Sequence, residues 1–171
     1  MYERILIAYD GSPEGLIALR EGALLARRDG AALTLISVLA DTPAAVLIES
    51  FDASVLGERM ARCEATLVGG VKELESLGLA AVPRLAFGDP AAQIAQAARE
   101  VEADLVVLGH QQRNLLQRWW SDGVGAYVAN HVSASVLIAR HVLSDAVIFS
   151  TEPASAEGGG PEATAPPAPG A

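Results

Sequence analysis

Five short segments of the chain are apolar at most of their positions, and each lies beside residues that favour turns or helix starts. They are residues 4–8, 33–38, 81–86, 105–108 and 135–139. Apolar runs of this length are typical of parallel strands that are covered on both faces. We therefore predict five strands. Pro83 lies inside the third and cannot donate a ladder hydrogen bond, so we place that strand at an edge of the sheet.

Helical patterns separate the predicted strands. Two helices begin with a capping residue followed by proline, at Ser12-Pro13 and at Asp89-Pro90. A third apolar stripe runs from Glu58 to Gly78 and contains Cys63, which we predict to be a core residue. We expect a fourth, short helix over Gly123–Asn130, and a loop with one short helical turn over residues 39–57. Strands that alternate with helices indicate an α/β fold, a parallel sheet with helices on both faces.

Composition and charge narrow the functional classes. The chain has 171 residues, one cysteine and a formal net charge of −9. A chain this acidic, without a dense Lys/Arg cluster, favours neither nucleic acid nor an anionic membrane as a partner. A single cysteine and the lack of a segment long and apolar enough to span a membrane suggest a cytoplasmic protein. We expect one domain over residues 1–144 and an acidic, Pro/Ala/Gly-rich disordered tail over residues 145–171.

The segment that follows the fourth strand is the predicted ligand site, because open parallel sheets bind ligands beyond the carboxyl ends of their strands. Gly109 ends the strand, and Arg113 and Arg118 flank the loop with groups that suit a phosphate or an acidic partner. The adjacent Trp119 and Trp120 have two interpretations. Either one ring is exposed as a partner anchor or a plug over the crevice, or one is buried and the other half-covered.

Several of these segments together resemble the universal stress protein family. The matching pieces, which follow the family's order between residues 2 and 142, are Ile5–Ser12, Leu33–Val38, Gly88–Pro90, Ala103–Gly109 and Val132–Ile138. The resemblance implies a five-stranded sheet of order 3-2-1-4-5 and a homodimer. It makes the first and fourth strands neighbours, so that Asp10 and Gly109 would face one crevice. The apolar fifth strand, at the opposite edge from Pro83, is then the expected dimer seam.

The resemblance also implies positions for a nucleotide. Asp10 matches the position of ATP-binding members whose carboxylate contacts adenine or ribose. Val38 matches the position whose backbone contacts adenine. Asp10 could equally cap the turn before Pro13. The phosphate loop of those members reads G-x2-G-x9-G-[S/T]. Gly109 matches its first glycine, Gln112 replaces the second, and Asp122-Gly123 replaces the closing pair.

A one-residue insertion would align Gly123 with the last glycine of that motif, but Val124 would then follow and would supply no hydroxyl. The Asp122 carboxylate is also placed to cap the start of the next helix. Its negative charge would then lie where the phosphate of a nucleotide should bind. The cofactor-binding positions, if a nucleotide binds, are therefore Asp10, Val38, Gly109, Gly123 and Val124. ATP remains a candidate cofactor, although members that lack the glycine pattern are typically regarded as not binding it.

Three classes of function follow. The favoured one is a non-catalytic stress-response regulator that acts as a homodimer through an unknown protein partner, without tight ATP binding. The alternative is an ATP- or AMP-binding sensor. An enzyme is disfavoured because the sequence contains no nucleophile elbow, Walker A motif or Rossmann fingerprint. A phosphoacceptor receiver domain is disfavoured as well, because it would need a lysine at a strand end, whereas Lys72 lies on a predicted helix. His110, His131 and His141 have no metal-ligand spacing, so no metal is predicted.

Overall fold

A computed structural model describes residues 1–41, 53–110 and 124–140. Five strands lie in these ranges: β1 Arg4–Ala8, β2 Ala32–Ala40, β3 Ala81–Gly88, β4 Leu105–Gly109 and β5 Ser135–Ala139. The helices of the same ranges are α1 Pro13–Asp29, α2 Ala53–Ser76, α3 Pro90–Glu100 and α4 Val124–His131. In these ranges, no helix is both long and apolar enough to cross a membrane.

The strands form one parallel sheet of order β3-β2-β1-β4-β5. This confirms the predicted α/β class and strand order, and it confirms the placement of Pro83 on an edge strand. Most boundaries differ from the prediction by one or two residues, and the largest differences concern β2 and α2. Strand β2 continues to Ala40 because β3 pairs with it as far as Gly88. Helix α2 begins at Ala53, so residues 53–57, predicted to lie in a loop, are helical.

The core has two layers because successive strand residues point to opposite faces of the sheet. Ile5 and Ile7 of β1 pack with residues of α1 and α2. Leu6 and Ala8 of the same strand pack with residues of α3 and α4. The central strands are covered on both sides, which is why their sequences are apolar at consecutive positions.

The predicted helix caps are present. The Ser12 hydroxyl oxygen accepts a hydrogen bond from the Gly15 amide at 2.9 Å, and the Asp89 carboxylate accepts one from the Ala92 amide at 2.8 Å. Helix α1 ends at Gly30, whose φ of 69° is the left-handed conformation that glycine adopts without strain. An ion pair of 2.8 Å between Arg20 and Glu73 joins α1 to α2.

Two contacts position β4 beside β1. At the amino end of the sheet, the Asp104 carboxylate accepts hydrogen bonds from the Glu3 amide at 2.7 Å and the Arg4 amide at 3.1 Å. At the carboxyl end, Gly109 lies against the first turn of α1. A Cβ atom on Gly109 would be 2.5 Å from the Glu14 carbonyl oxygen and 3.0 Å from the Gly15 nitrogen. Any larger residue would therefore push β4 and α1 apart.

Gly109→Ala should lower the free energy of unfolding by about 2 to 3 kcal/mol, because the added methyl would meet main-chain atoms that cannot rotate away. Urea denaturation followed by circular dichroism measures this change. Gly69→Ala is the control: its Cβ would meet nothing within 4 Å, and it lies inside α2. We expect that variant to gain about 0.5 to 1 kcal/mol from helix propensity. Equal stability of the two variants would contradict the packing role of Gly109.

Candidate ligand-binding cleft

An open cleft of about 290 Å³ lies beyond the carboxyl ends of β1 and β2, with α2 as its second wall. The strand ends supply its first wall, and one side of the amino-terminal half of α2 supplies the other. The described residues that line it are Tyr9, Asp10, Ser37, Val38, Leu39, Arg59, Arg62, Cys63 and Thr66. Its volume is at the lower end of the range of small-molecule sites, which suits a ligand of about nucleoside size.

A buried hydroxyl fixes the strand wall of the cleft. Ser37 is 1% exposed, and its hydroxyl donates a hydrogen bond of 2.6 Å to the Tyr9 carbonyl oxygen. The Tyr9 amide in turn donates to the Ile36 carbonyl at 2.9 Å. These two bonds continue the connection of β1 to β2 beyond the last regular pair, Ala8 with Ile36, and hold Tyr9 beside Ser37 on the strand wall of the cleft.

Asp10 has the capping role that the sequence allowed. Its Oδ1 accepts hydrogen bonds from the Ser12 amide at 3.0 Å and from the Ser12 hydroxyl at 2.5 Å. The side chain is exposed and lines the cleft. The same carboxylate therefore shapes the turn into α1 and places negative charge on the strand wall of the cleft.

Tyr9 fills the space between the strand wall and α2. Its ring lies against Gly70, where a Cβ atom would come within 2.7 Å of the ring and 2.8 Å of Leu35. Burial raises the pKa of Tyr9, and the nearby carboxylates of Asp10 and Glu73 raise it further. The phenol is therefore neutral at physiological pH and can take part in hydrogen bonds without adding charge to the cleft.

The helical wall is cationic. Arg59 and Arg62 are three residues apart on α2, a spacing that places both side chains on one side of the helix. The Arg59 guanidinium donates a hydrogen bond of 2.7 Å to the Ala40 carbonyl at the end of β2. That bond holds Arg59 against the rim. Thr66 closes this wall near Gly11, where a Cβ atom would be 3.0 Å from the threonine methyl.

Cys63 differs from its predicted place in the core. It is half-buried and lines the cleft, whereas Leu67 and Leu74 of the same stripe are buried. The reason is that the amino-terminal half of α2 extends past the sheet, so its apolar stripe borders a cleft there. Burial raises the pKa of the Cys63 thiol, Glu64 raises it further, and Arg59 acts in the opposite direction.

The structure brings together only part of the predicted site. Asp10 and Val38 line the cleft. Gly109 packs on α1 and is not among the described lining residues. Val124 is the first residue of α4, only 7% exposed, and belongs to the core layer with Val128. Gly123 lies outside the described residues.

Four other predictions fall in part or wholly outside the described ranges. Residues 111–123, which lie outside the described ranges, contain Gln112, Asp122, the two loop arginines and the tryptophans Trp119 and Trp120. The expected tail lies within residues 141–171, which are also outside those ranges.

His110 lies within the described ranges. Its amide donates a hydrogen bond of 3.1 Å to the Ala139 carbonyl, which extends the pairing of β4 with β5. Within the described ranges no three His, Cys, Asp or Glu side chains are grouped so that they could hold a metal ion.

Sequence reasoning did not identify Ser37, Arg59, Arg62 and Thr66 as residues of the site. Ser37 could have been noticed as a hydroxyl within an otherwise apolar strand. The two arginines lie beside the apolar stripe of α2, and charged residues there are usually solvent-facing. That side of α2 faces a cleft only because the helix is longer than the strands and projects beyond the edge of the sheet.

Comparison with known proteins agrees with this architecture. A sequence model described as the Universal stress protein family matches residues 1–140. A Staphylococcus epidermidis protein named as a universal stress protein is 34% identical over 142 residues, which cover 81% of this chain and 84% of that protein. The structure of the universal stress protein UspA from Lactobacillus plantarum superposes with a TM-score of 0.66 at 25% identity, covering 81% of this chain and 98% of that one.

A universal stress protein from Archaeoglobus fulgidus, solved in complex with dAMP, has the same fold. It superposes with a TM-score of 0.57 at 20% identity and covers 81% of this chain and 98% of its own. The match of the family model to most of the chain and the relative at 34% identity lead to one conclusion. This chain belongs to the universal stress protein family.

Proposed function

We propose that this protein is a cytoplasmic stress-response regulator that acts as a homodimer, catalyses no reaction and does not bind ATP tightly. The observation that carries the proposal is the composition of the segment after β4. Its sequence has Gln112 and Asp122 at positions where ATP-binding members have glycines. Without those glycines, fewer backbone amides can turn toward a triphosphate.

The surroundings of Gly109 and Val124 support the same proposal. Close packing against Glu14 and Gly15 accounts for Gly109 without any ligand. Val124 is buried, and its side chain has no hydroxyl to offer a phosphate. A regulator of this kind would act through a protein partner.

The proposed dimer uses the edge strand β5. A strand at the edge of a sheet exposes unpaired amide and carbonyl groups, which another chain can cover. Ile138 on β5 is 44% exposed and would add apolar area to such a contact. Val136 is half-buried and packs against the layer of α3 and α4, so it contributes mainly to the fold of each subunit.

A second function is favoured by one observation: Asp10 and Val38, the two positions that the resemblance assigns to the nucleoside, line one cleft. The Archaeoglobus fulgidus protein of the same fold holds dAMP. By this analogy of fold, the cleft would take an adenine nucleotide and the protein would be a nucleotide sensor. Micromolar ATP binding would favour the sensor over the first function.

The reactivity of Cys63, the only cysteine of the sequence, can report on the cleft. Because its pKa is raised, less thiolate is present at pH 8 than for an ordinary thiol, and the thiolate is the reacting form. We expect slower reaction with a chromogenic disulfide in the native protein than in urea at the same pH, and a rate that still rises above pH 9. An equal rate in both states would show that Cys63 is not sheltered.

The same reaction tests for ligands at the described site. A nucleotide seated against Val38 and Asp10 should slow the modification of Cys63, whereas one held elsewhere should leave the rate unchanged. Under the first function, 1 mM ATP has little effect. A protection that is half-complete at micromolar ATP would instead support the sensor.

Restoring the phosphate motif tests why ATP binding is weak. The triple variant Gln112→Gly, Asp122→Gly, Val124→Ser supplies the missing glycines and hydroxyl, and removes a carboxylate. We expect its ATP affinity, measured by isothermal titration calorimetry, to rise at least tenfold over the natural sequence. Val124→Ser alone is the control for the buried helix start. No gain in the triple variant would mean that another feature of the site opposes ATP.

Ile138→Asp should convert the proposed dimer into monomers, because it places a charge on each side of the seam. Multi-angle light scattering measures the molar mass. Val82→Asp is the matched control, since Val82 lies on the opposite edge strand β3 and is 66% exposed. We expect that variant to stay dimeric. A dimer in both variants, or a monomer already in the natural protein, would contradict the proposed seam.

A further inference from the structure

Another open cavity of about 290 Å³ lies at the amino edge of the sheet, opposite the edge that holds the cleft. It is bounded by the end of α3, by the connection from α3 to β4 and by the connection from α4 to β5. Its lining residues are Ala98, Arg99, Glu102, Ala103, Val132 and Ser133. The two alanines and Val132 are buried or half-buried and form an apolar floor, whereas the other three residues are exposed. An apolar floor with a few polar groups suits a small molecule.

Glu102 occupies a backbone position that two other helix ends give to glycine. Helices α1, α2 and α3 end in the same way, with an amide that donates to the carbonyl five residues earlier: Ala31 to Ala26, Leu79 to Leu74 and Ala103 to Ala98. The residue before that amide has a positive φ each time, 69° at Gly30, 74° at Gly78 and 50° at Glu102. A residue with a side chain is strained in this conformation, whereas glycine is not. The fold alone would therefore favour glycine at position 102.

The ion pair of Glu102 does not account for this strain. Its carboxylate lies 3.4 Å from the Arg4 guanidinium, and the two side chains are 76% and 47% exposed. Such an exposed pair contributes little stability, because water solvates both charges. The Arg4 Nε atom also donates a hydrogen bond of 2.8 Å to the Glu102 carbonyl, which any residue at this position would accept. The carboxylate is therefore better explained by a ligand than by stability.

Arg99 supplies the opposite charge to the same cavity. Its Nη1 atom donates a hydrogen bond of 3.0 Å to the His131 carbonyl, which holds the guanidinium beside the end of α4. Within the described ranges Arg99 forms no ion pair. The adjacent Glu100 pairs with Arg84 instead, and its pKa is lowered most by that hydrogen bond and least by Arg99. The remaining guanidinium N–H groups of Arg99 are available to a carboxylate.

The two charges together suit a ligand that carries both signs. Arg99 and Glu102 are three residues apart and line one cavity, yet no ion pair joins them in the described part of the chain. The carboxyl ends of α3 and α4 also lie here, and the negative end of a helix favours a cation. A simple anion would be opposed by Glu102 and the helix ends, and a simple cation by Arg99. An α-amino acid presents an ammonium and a carboxylate from one carbon atom, so it satisfies both groups.

We propose that this cavity binds a small apolar α-amino acid. The α-carboxylate of the ligand pairs with Arg99 and accepts a hydrogen bond from Ser133, the α-ammonium pairs with Glu102, and the side chain lies on the apolar floor. The site is separate from the cleft and requires neither of the functions proposed above. It would give a stress-response regulator an input of its own at the amino edge of the sheet, the supply of a free amino acid.

Calorimetry with valine and two of its derivatives tests the two charges. Valine should bind with a Kd of about 0.1 to 1 mM, which is the affinity that a ligand of this size reaches with a few polar contacts. N-acetylvaline lacks the ammonium charge and valinamide lacks the carboxylate, so each should bind about tenfold more weakly. Nuclear magnetic resonance of ¹⁵N-labelled protein locates the ligand, because the amide signals of Ala103 and Ser133 should shift on titration with valine.

Substitutions separate the role of the site from the stability of the fold. Arg99→Gln and Glu102→Gln should each weaken valine about tenfold. Glu102→Gly should weaken valine equally while the midpoint of urea denaturation rises, because glycine removes the backbone strain. A merely structural role of Glu102 would not combine these two changes. Glu75→Gln, which removes one exposed carboxylate from α2, is the control and should change neither valine binding nor the urea midpoint.

Several results would overturn the proposal. If N-acetylvaline binds as tightly as valine, the cavity is an anion site in which Glu102 takes no part. If Glu102→Gly binds valine as the natural protein does, recognition of the ammonium group is refuted. Valine that shifts other amide signals but not those of Ala103 and Ser133 binds elsewhere. No binding of alanine, valine or leucine at about 20 mM, beyond the range of specific recognition, would refute the site altogether. None of these results bears on ATP binding or on the dimer.

Discussion

The parallel pairing of β1 with both β2 and β4 is the constraint on which the rest of the structure depends. It makes β1 the central strand and places helices on both of its faces. It also brings three strand ends to one edge of the sheet, where the chain must leave in different directions. The helix that follows β1 turns over the neighbouring strand β4, which is why Gly109 meets the start of α1 so closely. The cleft and the close contact between two backbones thus result from the same topology.

Glycine at the end of β4 has two physical explanations, and the sequence alone could not separate them. A phosphate loop needs glycine so that amide groups can face an anion, and a crossing of backbones needs glycine because there is no room for Cβ. At Gly109 the lack of room for a Cβ atom requires glycine whether or not a ligand binds. A family motif can therefore retain its first glycine for packing after the positions that serve the phosphate have changed.

The fold could be predicted because its determinants are local and repeated. The runs of Ile5–Ala8 and Leu105–Leu108 are typical of strands buried on both faces, and the caps at Ser12 and Asp89 mark two helix starts. The cleft could be predicted only where it is made of strand ends, as at Asp10 and Val38. Its other wall depends on where a helix projects relative to the sheet, which no residue pattern within α2 specifies.

The lengths of α2 and its neighbours explain this wall. A helix of 24 residues is roughly 36 Å long, whereas the eight residues of β3 span roughly 26 Å. The end of α2 is fixed at Gly78, whose φ of 74° ends the helix just before β3 begins. The excess length must therefore appear at the amino-terminal end of α2, beyond the carboxyl edge of the sheet. There the side of the helix that would otherwise cover strands is left facing the cleft. Cys63 consequently has the sequence context of a core residue, and Arg62 that of a surface residue, yet both border the same ligand-sized space.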